Sequence, residues 1–124
     1  MAVTNLVITS LAANEFQDTD NRVVGTAAVT VKGSAGTLYL LSADNTANGA
    51  QVTYVKLYDS AGVITVGVTA PDWVFKVTAG ITQPLVWAPG IAFSAGLQVV
   101  SVTTGGTAGT TANGSAVIVR IGYS

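Results

Sequence analysis

The chain has 124 residues, enough for one domain and one core but not for two. Hydrophobic residues make up 49% and charged residues only 9%, with five Lys and Arg against six Asp and Glu for a net charge of -1. There is no His and no Cys. That excludes a Ser-His-Asp triad, imidazole or thiolate metal ligands, Fe–S clusters and disulfides. The few cations are scattered, which argues against a nucleic-acid surface, since such surfaces cluster cations to displace phosphate counterions. A charge-poor surface built of Thr, Ser, Asn, Gly and small apolar groups also loses little on desolvation, because few ions must give up their water.

The start, Met1-Ala2-Val3-Thr4-Asn5, carries no basic n-region and reads poorly as a signal peptide. No apolar run approaches the roughly 18 residues of a membrane span. The segment Ser10 to Asn21 holds three of the six acids, Glu15, Asp18 and Asp20, and is either a helical turn (Leu11 to Phe16) or an extended arm. Val, Thr and Ile dominate the chain as a whole, 42 of its 124 residues. These β-branched side chains fit a pleated sheet better than a helix. Eight period-2 runs follow between turn signals: Val23 to Lys32, Thr37 to Ala43, Gln51 to Asp59, Val63 to Val68, Trp73 to Thr78, Pro84 to Trp87, Leu97 to Thr104 and Ala116 to Tyr123. In the second run Tyr39 and Leu41 alternate against Leu38 and Leu40. In the third, Val52, Tyr54, Lys56 and Tyr58 share one face, which reads as exposed or as an interface. Asp59-Ser60-Ala61-Gly62 reads as a hairpin turn, Ala88-Pro89-Gly90 as a break, and Gly105 to Gly114 as a flexible tract.

Eight short antiparallel runs predict an all-β, eight-stranded jelly-roll sandwich, with an immunoglobulin-like sandwich as the alternative. Residues 1–22 form an N-terminal arm or edge segment, and residues 23–124 a single β-sandwich domain.

Candidate sites are few. Asp44-Asn45-Thr46-Ala47-Asn48-Gly49 matches the first half of a calcium loop, but Val55 stands where the bidentate Glu would be, so a turn is the better reading and no metal is expected. Glu15, Asp18 and Asp20 could supply paired carboxylates for glycoside chemistry, but their neighbours Asn14, Gln17 and Asn21 give no desolvation. A solvated segment, or one that pairs with Arg22 or a neighbouring subunit, is the plainer reading. Tyr39, Tyr54, Tyr58, Trp73, Phe75, Trp87 and Phe93 could line a sugar-binding face, although aromatics in strands are mostly core. Asn113-Gly114-Ser115 is a glycosylation sequon best read as a turn, and Gly105-Gly106 lacks the Lys and the helix of a phosphate loop. No cofactor is expected.

Two stretches carry a resemblance. One is Asn45 to Asp59, with Asn-Thr followed by Tyr54-Val55-Lys56-Leu57-Tyr58. The other is Gln83-Pro84-Leu85-Val86-Trp87-Ala88-Pro89-Gly90-Ile91-Ala92-Phe93-Ser94-Ala95-Gly96-Leu97. Their order and spacing, over roughly residues 36 to 104, resemble the small jelly-roll capsid decoration (cement) proteins of tailed bacteriophages. The Thr107 to Thr111 stretch departs from that pattern in lacking acids. The resemblance implies a non-enzymatic virion structural protein, often trimeric, made in the host cytoplasm and placed on the capsid exterior. Its partners would be the major capsid protein and itself, with no nucleic acid and no membrane. On this reading the N-terminal residues Glu15, Phe16, Asp18, Asp20 and Arg22 contact a neighbour. The alternative is a carbohydrate-binding or fibre-associated β-sandwich module on a virion.

Overall fold

The structure, a computed structural model, describes residues 27–124 in full and the strand path of residues 14–18. The described residues form β-strands and turns with no helix. The strands are β1 (Asn14–Asp18), β2 (Val29–Lys32), β3 (Gly36–Asp44), β4 (Thr53–Tyr58), β5 (Trp73–Val77), β6 (Thr82–Phe93), β7 (Leu97–Val102) and β8 (Ile118–Tyr123). They make two antiparallel sheets, in the order β1-β8-β3-β6 and β2-β7-β4-β5, the arrangement of a β-sandwich. Pairing is nested: β4 joins β5, β3 joins β6, β2 joins β7 and β1 joins β8.

Within residues 27–124 there are seven strands, four in one sheet and three in the other, rather than the eight runs expected of residues 23–124. The run Val63 to Val68 is the one that fails. It forms a turn in which Thr65 O accepts from Val68 N at 3.0 Å and Thr69 N at 2.8 Å. Gly67, with φ of 92°, ends any extended path there. Val66 is buried but Val63 is 96% exposed, and among the described strands none pairs with the segment. Pro84 to Trp87 errs the other way. It is part of the twelve-residue strand β6, although the ladder to β3 skips Trp87 to Gly90, so Ala88-Pro89-Gly90 interrupts the pairing without ending the strand, at the outermost position of the sheet where prolines are tolerated. Of the N-terminal segment 1–22, only Asn14–Asp18 is described, as a strand along the edge of β8 rather than a helical turn.

The main core lies between the sheets. Leu38, Leu41, Ala43, Val119 and Ile121 from one sheet meet Val55, Leu57, Val77, Leu97 and Val99 from the other, all essentially without solvent exposure. Leu38 and Leu41 are three apart, not two. Register shifts between Leu38 and Leu40: against β8 Tyr39 is an extra residue that flips the phase of the strand, and against β6 the extra residues are Trp87 to Gly90 on β6 itself. The alternation expected for this run therefore breaks, and Leu40 emerges on the outer face instead of beside Leu38.

A second, smaller apolar cluster lies on the far side of β2-β7-β4-β5. There Tyr58, Val100 and Val102 are covered by Val66, with Ala28, Tyr54 and Ile64 alongside. Every residue of β7 is consequently buried, on both faces.

Candidate functional site

The outer face of β2-β7-β4-β5 is covered by the protein's own loops over its central strands β4 and β7, while Thr30 on β2 and Val74 and Lys76 on β5 stay exposed at its margins. Tyr54, Lys56 and Tyr58 share that face, but their part of it is neither exposed nor free as an interface. Lys56 has 0% exposure and Tyr58 1%. Lys56 Nζ donates to Gly109 O at 2.7 Å and to Thr107 O at 3.5 Å. Burial pulls the Lys56 ammonium below its ordinary pKa, and burial likewise pushes the Tyr58 hydroxyl up. The Gly105 to Gly114 tract is thus a lid on the sheet, held by that ammonium and by Thr103 N donating to Thr111 O at 2.9 Å. It also abuts the Thr65–Thr69 turn. A Cβ on Gly67 would collide with the Thr110 methyl group, so the two covering loops interlock at a position only glycine can hold.

Both ends of the sandwich are likewise occupied by their own polar groups. At one end Asn45 Nδ2 donates to Gln51 O at 2.8 Å and to Thr78 O at 3.2 Å, while its Oδ1 receives Asn48 Nδ2 at 3.0 Å. Thr53 Oγ1 sits 3.0 Å from Asn45 Oδ1 and 2.6 Å from the Asn113 carboxamide, which also bonds Ser101 Oγ. Asn48 clasps both backbone groups of Ser115. Asn113, the sequon residue, is therefore a buried pin. In the calcium-like loop, Asp44 Oδ1 accepts from Thr46 Oγ1 at 2.6 Å and from Thr46 N at 3.0 Å. The Thr46 hydroxyl and amide hold the Asp44 carboxyl below its ordinary pKa. Its oxygen already serves the turn, and among the described residues no cluster of three or more acidic side chains could hold a metal.

At the other end, Asp59 joins two segments 35 residues apart. Its carboxylate accepts from Ser94 N, Ser94 Oγ, Ala95 N and Gly96 N at 2.8 to 3.3 Å. Desolvation works to raise its pKa, but these backbone and hydroxyl donors together outweigh it and hold the group below its ordinary value. Gly96 is required at this junction, because a Cβ would lie 2.8 Å from Ser60 O and 2.9 Å from Lys32 O.

Among the described residues, what remains open is the β6 side of the outer face of β1-β8-β3-β6. The register sets out its rows. Gly122, Leu40 and Val86 form one, then Arg120, Ser42 and Pro84, then Ile118, Asp44 and Thr82. Val86 is 74% exposed and Leu40 37%, and no loop of the described residues crosses them. Small uncharged groups thus occupy the β6 side of this face, with Arg120 and Asp44 the charged residues in its rows. Glu15 registers with Gly122 and Gln17 with Arg120, so β1 continues these rows, while Phe16 and Asp18 register with Ile121 and Val119. Asp20 and Arg22 lie outside the described residues. Sequence reasoning singled out the β1 residues but not Leu40 and Val86, whose exposure depends on the bulge at Tyr39 and on the edge position of β6.

The aromatic residues do not make an open row. Tyr58 and Phe93 are buried, and Tyr39, Tyr54, Trp73, Phe75 and Trp87 are half-buried. Phe75 and Trp87 meet at 5.2 Å between ring centres with a 46° tilt, packed against the core at the β5/β6 side. No protein-family model, curated protein or solved structure matches the chain.

Proposed function

We propose that this chain is a non-enzymatic virion structural protein, a capsid decoration protein that assembles with itself as a trimer and reinforces the outer shell of a phage capsid. The proposal includes the fold: the nested pairing of β4 with β5, β3 with β6, β2 with β7 and β1 with β8 supports a jelly roll, in which one long antiparallel ribbon is wrapped into two sheets. The resemblance of residues 36 to 104 to the decoration proteins supports the same reading. The observation that carries it is the contrast in surfaces. The centre of one sheet and both ends are covered by the molecule's own loops and polar networks, while on the other sheet Leu40, Pro84 and Val86 form a small uncharged exposed strip along β3 and β6.

Such a face suits docking on a repeating shell. Few ions must be desolvated, and many symmetric copies turn a modest contact into firm attachment. The carboxylates of Asp44 and Asp59 are committed to turns, which supports a role without bond-breaking chemistry. The major capsid protein is the partner proposed for this face, with β1 at its border and Glu15 and Gln17 in register with its rows.

The test is co-sedimentation of the purified protein with expanded capsid shells stripped of decoration protein. Saturable binding at a fixed number of copies per capsomer is expected. Failure to bind such shells, together with a response to an oligosaccharide panel, would replace this reading with the carbohydrate-binding one.

A further inference from the structure

Asn48-Gly49 and Asn113-Gly114 are the two Asn-Gly steps of the chain. At such a step the carboxamide carbon can close a five-membered ring on the next backbone nitrogen. Glycine has no Cβ, so it neither shields that nitrogen nor restricts its approach. Loss of the N–H proton to hydroxide lets the nitrogen attack, ammonia leaves, and a succinimide forms. Water then reopens the ring to aspartate or isoaspartate. One amide and one water are consumed, one carboxylic acid and one ammonia are formed, and no redox partner is needed. Both asparagines are buried in the polar network at one end of the sandwich, yet their two neighbouring nitrogens are placed differently.

Gly114 N donates to Gln51 Oε1 at 3.1 Å. That bond fixes the peptide plane and commits the proton to an acceptor, so hydroxide must first displace Gln51. At the other step, the carbonyl of the Asn48-Gly49 peptide accepts from Gln51 N at 3.3 Å and from Gly80 N at 3.1 Å. The peptide is trans, so its N–H points the opposite way from those two donors. Gly49 is exposed, and a Cβ there would meet nothing within 4 Å. Hydroxide reaches this N–H from solvent. The restraint at Asn48 lies instead in its side chain, whose Nδ2 donates to Asn45 Oδ1 and to Ser115 O, both at 3.0 Å. The carboxamide must leave these partners to turn towards Gly49 N, so the reaction waits on a local opening.

Once made, the change prevents the end from closing as before. The new carboxylate oxygen has no proton to donate, and it replaces the nitrogen that served Asn45 Oδ1 and Ser115 O. Three acceptors, one of them charged, then meet where two hydrogen bonds stood. Ser115 follows the lid and leads into β8, so the chain's exit from the lid loses that hold.

We propose that Asn48 is a site of spontaneous deamidation, that its conversion unclasps Ser115 and loosens this end of the sandwich, and that Gln51 withholds the same reaction from Asn113. The inference is independent of the function proposed above and is read on the isolated protein.

The test is peptide mapping by mass spectrometry of the folded chain held at mildly alkaline pH, beside the urea-denatured chain, Gln51→Ala and Gln51→Glu. The denatured chain should convert both sites at similar rates. In the folded chain Asn48 should convert more slowly than in the denatured one, but at least about tenfold faster than Asn113. Gln51→Ala should raise the Asn113 rate about tenfold, whereas Gln51→Glu, which keeps an acceptor for Gly114 N, should leave it as in the wild type. The converted protein, and Asn48→Asp, should unfold at lower urea concentration than the wild type. Should Gln51→Ala fail to fold, the order of the two sites in the wild type decides. Conversion at Asn113 as fast as at Asn48, no conversion at Asn48 while the denatured chain converts, an Asn113 rate indifferent to a folded Gln51→Ala, or a converted protein as stable as the wild type would overturn the proposal.

Discussion

On β2-β7-β4-β5 the outward side chains Tyr54, Lys56 and Tyr58 lie under the loops around Val66 and Gly109, whereas on β1-β8-β3-β6 the outward Leu40, Pro84 and Val86 meet solvent. Both sheets read as amphipathic strands, and both pack equally well on the shared core. The difference is in what the chain invests above them. One sheet carries a second apolar cluster and a buried ammonium that pins its lid, so substitutions there act on folding. Among the described residues nothing covers Leu40 and Val86 on the other, so on the proposed function substitutions there should act on docking rather than on folding. The two faces should therefore separate stability from docking.

The largest expected effect is at Lys56. Lys56→Glu places an unpaired carboxylate against the carbonyls of Thr107 and Gly109 and should cost on the order of 4 kcal/mol, read by urea denaturation. Lys56→Met sharpens the comparison. It keeps the apolar stem and removes the charge, so stability should change by less than about 1.5 kcal/mol. Amide exchange in residues 103–112 should nonetheless accelerate, because Gly109 O loses its donor. A K56E protein as stable as the wild type would break the account of the covered sheet.

Asp59 comes next. Asp59→Ala removes the acceptor for three amides and a hydroxyl at the β6–β7 turn and should cost about 2 kcal/mol. The wild-type dependence on pH follows from the lowered pKa. The folded carboxyl binds its proton less readily than the unfolded one. Its stabilisation is thus complete above the unfolded value of about 3.9 and is lost as pH falls from there through the folded value. Asp44, also lowered, acts in the same direction. Denaturation midpoints measured between pH 6 and pH 2 should fall mainly below pH 4, and Asp59→Ala should flatten that fall. The smallest effect on stability belongs to the bare sheet, where Val86→Lys should shift the unfolding free energy by no more than about 0.5 kcal/mol.

The strands from β3 onward were legible where the period-2 pattern coincides with a two-sided environment. Thr53-Tyr54-Val55-Lys56-Leu57-Tyr58 and Leu97 to Val102 are examples. Val63 to Val68 has the same local pattern and is no strand, because pairing requires an edge, and the edge is set by residues distant in sequence. Lys56 shows the same limit. An alternating Tyr-Lys-Tyr face reads as open until the loop some fifty residues later folds over it. Asp59 was legible as a turn residue, but its work is done on Ser94 to Gly96, and nothing beside it in the chain announces that. The absence of any His or Cys chemistry was legible outright, since composition alone decides it.

The central claim is that the bare face is the working surface and the covered one is not. The most direct measurement compares binding to undecorated capsid shells for Val86→Glu, on the bare face, and Val63→Glu, on the exposed tip over the covered sheet. The account predicts that Val86→Glu loses binding while Val63→Glu binds as the wild type does, both remaining folded. Wild-type binding by Val86→Glu would contradict it.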